Sequence, residues 1–280
     1  MITNFIPEIW STLINKSLEK QLVYGSCTSS VFEGQIKSAG QVLHISEIGE
    51  VTVNPYIAGT TTLTYENLQD AGQNLTISES KSFSFKIDDV NKFQSNAELL
   101  KPATEKATLA IADTIDSFIS GLYTDAGLLT GLGTEAVPLE LNSGNVDTFI
   151  IKCGRLLSEN NVPAEGRFII LPPWMIEKLT LGKIITSTDN TDIQNNGSIV
   201  RFAGFDVKMS NNVAVTSSDH YRIIAGHNSA IAYAGQASEV EALRLEGSFS
   251  DAIRGLYLYG AKVINPDRLC CITATEKAEA

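Results

Sequence analysis

The hydrophobic period of the sequence changes at residues 88–89, and this change separates a strand-rich region from a long helix. Before it, the alternation in KSFSFKI puts Phe83, Phe85 and Ile87 on one face of a strand. After it, a stripe recurs at helical spacing, formed by Ala107, Ile111, Thr114, Ile115, Phe118 and Leu122. The sequence therefore predicts one long helix, and Pro102 marks either a kink in it or the start of its regular part.

Residues 31–88 carry short β-type runs separated by Gly, Asn and Ser. No run is long or apolar enough to close a barrel core by itself. Two interpretations remain open, a small independent β domain and a long, extended β-hairpin that packs on something else. The second is favoured, and we expect residues 38–80 to lie largely outside the compact body of one subunit and to contact a neighbouring subunit.

The segments on either side of these regions are less distinctive. Residues 5–24 have apolar side chains at helical intervals after Pro7, which predicts an N-terminal amphipathic helix. Residues 125–144 are rich in glycine and contain GLGTEA (131–136), a partial dinucleotide fingerprint. No strand precedes it and Pro138 interrupts the helix that should follow, so we predict no nucleotide site there.

Residues 145–181 predict a compact unit in the order helix, strand, helix, whose last helix begins at Pro172-Pro173. A polar loop over residues 182–197 ends in Asn-Gly, a tight-turn signal. Strands follow in SIVRF, FDVKMS and YRIIAG. The small-residue run HNSAIAYAGQ (227–236) is interpreted as a helix packed closely on a sheet, and the closing strands are VEALRLEG, GLYLYGAKVI and LCCIT.

Charge is distributed unevenly along a chain whose formal net charge is −11. The first arginine is Arg155, and residues 38–80 hold no lysine or arginine. The acidic residues of that stretch are Glu47, Glu50, Glu66, Asp70 and Glu79. A protein that neutralises phosphates concentrates Lys and Arg on one face, so the sequence disfavours strong direct DNA binding.

No pattern of catalytic or metal-ligating residues is present. The cysteines lack C-x-x-C spacing and are interpreted as reduced, mostly buried thiols; they are Cys27, Cys153, Cys270 and Cys271. The histidines form no i, i+4 pair and no Cys/His cluster; they are His44, His220 and His227. Phosphate-loop and nucleophile-elbow motifs are also absent. We therefore predict no enzyme activity, no catalytic residue, no cofactor and no metal.

Membrane and export signals are absent as well. No window of about 18 consecutive apolar residues occurs, and the start MITNFIPEIW lacks the charged and apolar regions of a secretory signal. We expect synthesis in the cytosol and no contact with a membrane.

Several short sequence segments follow one another in a defined order over nearly the whole chain. They are NFIPEIWS (4–11), FKIDD (85–89), RFIILPP (167–173), GFDV (204–207) with SNN (210–212), AGH (225–227) and GLYLYGAKV (255–263). None of them performs chemistry by itself. Together, in this order, they resemble the major capsid proteins of tailed double-stranded-DNA bacteriophages, whose subunit has the Johnson or Hong Kong 97-type fold.

The resemblance implies an α+β fold with an N-arm, an extended β-hairpin called the E-loop, a P-domain with a long spine helix, and an A-domain. The corresponding segments are 1–30 (N-arm), 31–90 (E-loop), 91–139 (P-domain with spine helix), 140–237 (A-domain) and 238–280 (return to the P-domain sheet). It also implies that the polar loop near residues 183–197 reaches toward the centre of a hexamer or pentamer.

The implied function is that of a major capsid protein which self-assembles into pentamers and hexamers of an icosahedral phage head enclosing double-stranded DNA, so its location is the virion. The implied partners are further copies of the chain, scaffolding, portal and cement proteins, and packaged DNA bound without sequence specificity. A negative subunit suits this role because an interior that repels phosphate lets the genome slide.

Some relatives are cross-linked through an E-loop lysine. Residues 38–80 have none, so we expect non-covalent contacts or a separate cement protein to hold the mature shell.

Two packing expectations follow. The apolar stripe of the long helix should pack against C-terminal strands that contain Leu256, Leu258 and Val263. The acidic residues of the E-loop should meet bases of a neighbouring subunit, because they would otherwise repel one another. The candidate bases are Arg155, Arg167, Lys178 and Lys183.

Three other functions remain as alternatives, of which an enzyme of unrecognised type is the weakest. The same fold also forms encapsulins, compartment shells that house cargo enzymes. A surface adhesive or carbohydrate-binding module would explain the many Thr, Ser and Asn residues in 54–80, but the absent secretion signal and cysteine pairing argue against it.

Overall fold

The computed structural model describes residues 22–29, 40–45, 72–88, 100–182, 201–216, 219–244 and 250–278. Its helices are α1 (Leu100–Ser120), α2 (Val146–Glu159) and α3 (Pro173–Leu181). Its strands are β1 (Val42–Ile45), β2 (Gln73–Thr76), β3 (Glu79–Asp88), β4 (Leu139–Leu141), β5 (Arg167–Leu171), β6 (Arg201–Phe202), β7 (Phe205–Met209), β8 (Ala214–Thr216), β9 (His220–His227), β10 (Ile231–Arg244), β11 (Ser250–Val263) and β12 (Leu269–Glu276).

Two predicted features fall largely outside these ranges. Of the predicted N-terminal helix over residues 5–24, only residues 22–24 are described, and they are not helical. The tight-turn signal at Asn196-Gly197 and almost all of the polar loop before it also lie outside the described residues.

Two sheets form the body of the fold. The large sheet has the strand order β4-β12-β9-β5-β7-β6, and β8 pairs with β9 beside that path. The small sheet has the antiparallel order β10-β11-β3, and β1 and β2 form a separate antiparallel pair. Helices and sheets are thus combined in one chain, as the predicted α+β class requires.

The predicted helix–strand–helix unit is confirmed as α2, β5 and α3. β5 is buried along its whole length because it lies between β9 and β7 in the large sheet. The two helices cover one face of that sheet, where Cys153 contacts Cys270 and the rings of Trp174 and Tyr221 meet at 5.4 Å. Pro173 occupies the first turn of α3, where its missing N–H leaves no helical hydrogen bond unmade.

The long helix predicted from the apolar stripe is confirmed as α1. Because α1 begins at Leu100, Pro102 lies in its first turn, and the second predicted alternative, the start of the regular helix, is confirmed. A 3-10 turn, Gly121–Asp125, follows directly. Of the predicted stripe, Ile111 and Ile115 are buried, Ala107, Phe118 and Leu122 are partly buried, and Thr114 is exposed. Ala112 and Ile119 complete the buried apolar face.

This helix packs on β11, as predicted, with the predicted Phe118 and Val263 in the shared core and with Tyr259 as the strand residue that contacts Phe118. The half-buried ring of Phe118 meets the ring of Tyr259 edge to face at 5.4 Å, and Val263 shares their core. The predicted partners Leu256 and Leu258 are wrong. They alternate with Tyr259 along the strand and so lie on the opposite face of the sheet, where they pack against the β1–β2 pair.

The helix predicted over residues 227–236 is wrong, because this segment is a turn followed by the start of β10. Alternate side chains of β10 are buried on opposite faces: Ile231 and Tyr233 in the main core, Ala232 and Ala234 under the β1–β2 pair. Small side chains suit close packing in either a helix or a strand. Composition alone therefore did not distinguish the two structures.

The assignment of residues 238–280 to the P-domain sheet stays a prediction, and the described strands of this range lie in two different sheets. β11 does lie in the small sheet, but β12 lies inside the large sheet between β4 and β9. Cys270 faces α2, whereas Cys271 faces the side of the N-terminal segment and Arg222. A strand that is buried on both faces needs such a central position.

Candidate assembly surface

The base of the predicted hairpin arm packs inside its own chain. β1 and β2 pair antiparallel, with Ile45 opposite Gln73. The small sheet offers an apolar surface that buries the inward side chains of this segment, which are Leu43, Ile45, Leu75 and Ile77. The expectation that residues 38–80 lie largely outside the compact body is therefore wrong for the described ends of the segment. Residues 46–71 lie outside the described residues, so their contact with a neighbour stays a prediction.

Only one of the five predicted acidic contact residues is described. Glu79 is the first residue of β3, and its Oε2 lies 3.3 Å from Lys81 Nζ. An exposed ion pair of this kind stabilises the folded chain by at most about 1 kcal/mol. Glu79 could therefore exchange Lys81 for a lysine or arginine of a neighbouring subunit at little cost in free energy. The other four lie outside the described residues; they are Glu47, Glu50, Glu66 and Asp70.

Arg155 is placed where a contact with a neighbouring subunit is feasible. It lies on the outer face of α2 with 63% of its side chain exposed, and its Nε is 3.3 Å from Glu159 Oε1 one turn further along the helix. Its role in association stays a prediction. Lys183 lies outside the described residues.

Arg167, in contrast, is an internal structural residue, and its assignment as a contact for a neighbour is corrected. Only 7% of it is exposed. Its guanidinium donates to the carbonyl oxygens of Val162 at 2.7 Å and Pro163 at 2.9 Å, and to Ser158 Oγ at 3.1 Å. These bonds join β5 to the end of α2 and to the loop that follows it. The charge is buried and already hydrogen-bonded, so it is not available to an acidic arm.

Lys178 is corrected for the same reason. It is 5% exposed, and its Nζ lies 3.4 Å from Glu276 Oε1 at the end of β12. The aliphatic stem of this lysine packs under α3 while the charged end reaches a carboxylate of its own chain. It therefore stabilises the contact between α3 and the large sheet.

A buried carboxylate, missed by the sequence analysis, holds the N-terminal segment on α1. Asp116 is 3% exposed and accepts hydrogen bonds from the backbone N–H groups of Val23 at 2.9 Å, Tyr24 at 3.0 Å and Gly25 at 3.4 Å. Burial raises the pKa of this carboxyl group, and the three N–H donors oppose that rise. The sequence feature that could have indicated this role is an aspartate directly beside Ile115 on the apolar face of a helix. Burying a charge there costs free energy unless the charge has a partner.

A second missed group joins the end of α1 to the large sheet. Arg222 of β9 donates hydrogen bonds to the carboxylate of Glu135 and to Thr273 Oγ1, and its Nε donates to Thr216 Oγ1 at 3.2 Å. Its guanidinium carbon lies 5.1 Å from the centre of the Tyr123 ring, a cation–π distance. The sequence feature that could have indicated this group is an arginine inside the otherwise apolar strand pattern YRIIAG.

The glycine-rich fingerprint has a structural role in this region. Gly133 has a φ of +84° and lies so close to the carbonyl oxygen of Thr273 that a Cβ would overlap it. Gly131 also has a positive φ, +70°, and Lys152 Nζ donates to its carbonyl oxygen at 2.9 Å. These glycines thus allow the loop to approach β12 and α2 closely.

Several outer surfaces of the described fold carry features suited to association between subunits. β3 forms one edge of the small sheet, and its Lys81 and Lys86 are exposed there. Charged residues on an edge strand discourage unspecific pairing with other strands. Apolar side chains are also exposed, on α1, α2, α3, β7, β8 and a loop; they are Leu109, Ile151, Leu181, Met209, Val215 and Val137.

The described residues contain no group of three or more His, Cys, Asp or Glu side chains that could hold a metal ion. Among the described helices, none has both the length and the apolar character needed to cross a membrane. The four cysteines are buried, which confirms the prediction that these thiols are mostly buried. Burial raises the pKa of Cys271 to about 12, which disfavours its reactive thiolate form.

Comparisons by sequence and by structure gave different results. No model of a known protein family matches the chain, and no curated protein matches it by sequence. Solved structures do match. A chain of Mycobacterium phage Che8 has a TM-score of 0.70 and 29% sequence identity over 90% of each chain. A chain of the capsid of cyanophage P-SCSP1u has a TM-score of 0.67 and 15% identity over 86% of this chain and 85% of that one.

A third match is a virus-like particle from Pyrococcus furiosus, with a TM-score of 0.54 and 13% identity over 95% of this chain and 98% of that one. The matches at 15% and 13% identity establish a common fold, whereas the first also shares sequence along nearly its full length. The predicted resemblance to phage major capsid proteins is thereby confirmed, and the chain has the fold of phage capsid shell proteins.

Proposed function

We propose that this protein is a major capsid protein which self-assembles into the pentamers and hexamers of an icosahedral phage head around double-stranded DNA. The observation that carries the proposal is the match to the phage Che8 chain, which combines 29% identity with 90% coverage of both chains. The proposed role is structural, and the subunit contributes surfaces to the shell.

The parts of the subunit follow the Hong Kong 97-type arrangement in this proposal. Residues 1–30 form the N-arm, and residues 31–90 form the E-loop, whose base is the β1–β2 pair. α1 serves as the spine helix of the P-domain. The large sheet with α2 and α3 serves as the A-domain, to which β12 is now added because it pairs with β4 and β9.

Purified protein examined by electron microscopy tests this proposal directly. We expect closed polyhedral shells built from five- and six-fold rings of one chain. A protein that stays monomeric under all assembly conditions, with or without a scaffolding protein, would refute the proposal. Shells should also survive a chelator and a reductant added together, since the proposed contacts use neither metal nor disulfide.

The charge pattern suggests which surfaces meet. The acidic arm with Glu66 and Asp70 would contact exposed bases of the next subunit, and Arg155 is the described candidate that remains. The double variant Glu66→Lys, Asp70→Lys should form fewer shells at unchanged subunit stability. Adding Arg155→Glu to that variant should restore part of the assembly if these residues face each other. Normal shells from the double variant would refute the charge contact.

A compartment shell for protein cargo is the second candidate. The observation that favours it is the match to the virus-like particle from Pyrococcus furiosus over nearly the full length of both chains. The two functions differ in what the shell encloses. Particles isolated from their natural host and treated with nuclease should retain double-stranded DNA in the phage case and should retain one or a few enzymes in the other.

A further inference from the structure

The β1–β2 pair and the small sheet enclose a second hydrophobic core, separate from the main one. The pair contributes Leu43, Ile45 and Leu75, and Ile77 follows directly. The small sheet contributes Ala232, Ala234 and Leu258 from beneath. Leu75 and both alanines have no exposed surface, and Ile77 is 1% exposed. This core is closed by residues of a single chain.

Small residues of the sheet let the backbone of the hairpin come very close. A Cβ at Gly260 would lie 2.5 Å from the carbonyl oxygen of Thr76 and 3.1 Å from Ile77 Cα. Both neighbours are backbone atoms, which cannot swing aside as a side-chain end can. Gly260 is paired with Ala234 on the adjacent strand. The two residues form a flat surface on which the hairpin base lies.

Polar contacts fix the same base from its sides. Gln73 Nε2 donates to the carbonyl oxygen of Ile264 at 2.9 Å, and Lys262 Nζ donates to that of Asn74 at 3.2 Å. The N–H of Gly40 donates to the carbonyl oxygen of Ile77 at 3.0 Å, and the N–H of Ile77 donates to that of Gln41 at 3.0 Å. The entering and leaving ends of the segment are thus tied to each other and to β11.

We propose that these contacts form a socket in the subunit that fixes the position and direction of the E-loop before assembly, with Gly260 as its positioning residue. The proposal rests on the proposed capsid function, because it concerns the arm that would reach the neighbour. With Ile45 and Gln73 held opposite each other, residues 46–71 start from a rigid base. Holding both ends removes much of the conformational search that a free arm would need to find its neighbour.

Hydrogen exchange of unassembled subunits tests the socket. In the unchanged protein, the amides of residues 41–45 and 73–77 that donate hydrogen bonds across the pair should be protected before any shell forms. Gly260→Ala should raise their exchange rates by about tenfold or more, because overpacking against backbone opens the local structure. Exchange in β5 and β9 of the large sheet should stay the same. Gly121→Ala is the matched control, since a Cβ there meets nothing within 4 Å.

Leu75→Ala provides a second test if Gly260→Ala unfolds the whole subunit. This variant changes only a residue on the hairpin side of the small core, leaves the residues of β10 and β11 unchanged, and should loosen the same amides. Both variants should assemble more slowly than the unchanged protein. The socket is refuted if residues 41–45 and 73–77 exchange like an unfolded peptide in free subunits, or if they stay fully protected in both variants. A protein that never forms shells but shows the predicted exchange would refute the capsid function and leave the socket intact.

Discussion

Replacing Asp116 with alanine should detach the N-terminal segment from α1 and lower the free energy of unfolding. The carboxylate accepts three backbone N–H groups at 2.9, 3.0 and 3.4 Å, and the N–H of Tyr24 is fully buried. A buried donor without a partner costs about 1–3 kcal/mol, and the two partly buried donors add less because water can reach them. We expect a net loss of about 2–4 kcal/mol, since removal of the buried charge also relieves some desolvation.

Urea unfolding of subunits below the assembly concentration measures this loss. Asp116→Asn should lose less than alanine, because one amide oxygen can still accept from Tyr24 and Gly25 while the NH₂ group faces the N–H of Val23. Asp113→Ala is the matched control on the same helix. Asp113 is exposed and accepts one hydrogen bond from Asn212 Nδ2 at 2.7 Å, so its loss should be at most about 1 kcal/mol.

The pH dependence gives an independent readout for Asp116. Its pKa in the folded protein is raised by burial, so the folded state holds this proton more tightly than the unfolded chain does. The resulting contribution to stability is fully present below the ordinary pKa of aspartate and is lost as pH rises through the raised pKa. The stability advantage of the unchanged protein over Asp116→Asn should therefore shrink as the pH is raised above the ordinary pKa of aspartate, about 4. A constant advantage as the pH rises, or an alanine variant as stable as the parent, would refute the reasoning.

The other predictions use the same unfolding assay. Phe118→Ala should cost about 2 kcal/mol, below the roughly 3–5 kcal/mol of a fully buried ring, because Phe118 is only half-buried against Tyr259; an unchanged midpoint would contradict this packing. Arg167→Met should cost about 2–4 kcal/mol by leaving buried carbonyl oxygens without donors, and equal stability of the variant and the parent would show that water replaces the guanidinium. Gly255→Ala should cost about 1–3 kcal/mol, because its Cβ would overlap the ring of Phe83 on the next strand; the double variant with Phe83→Ala should then lose less than the sum of the two single losses.

Strongly periodic segments were predicted well from the sequence. α1, α2, β5 and α3 have apolar faces that repeat over several turns or over a whole strand, so their type follows from local spacing. The order of the elements and phrases supported the resemblance to phage capsid proteins. Neither inference needed knowledge of which element packs against which.

The candidate contact residues were predicted less well, because charge alone does not show where a side chain lies. Arg155 and Arg167 look equivalent in the sequence, yet Arg155 lies on the surface of α2 and Arg167 is buried at the start of β5. Only the fold brings Val162 and Pro163 to the guanidinium of Arg167. For the same reason the three backbone donors that meet Asp116 could not be found, since they lie more than ninety positions earlier in the chain.

The sequence by itself determined that the long helix has an apolar face, where that helix lies, and that the chain resembles phage capsid proteins. The tertiary structure alone decided what covers each face. Small residues such as Ala232 and Ala234 suit a helix or a strand, and pairing with β11 selects the strand. From the sequence, Leu256 and Leu258 were predicted to contact the long helix. Their alternation with Tyr259 along β11 instead places them on the other face of the sheet, under β1 and β2. Periodicity is a local property of the backbone, whereas the choice of partner depends on long-range contacts that spacing does not encode.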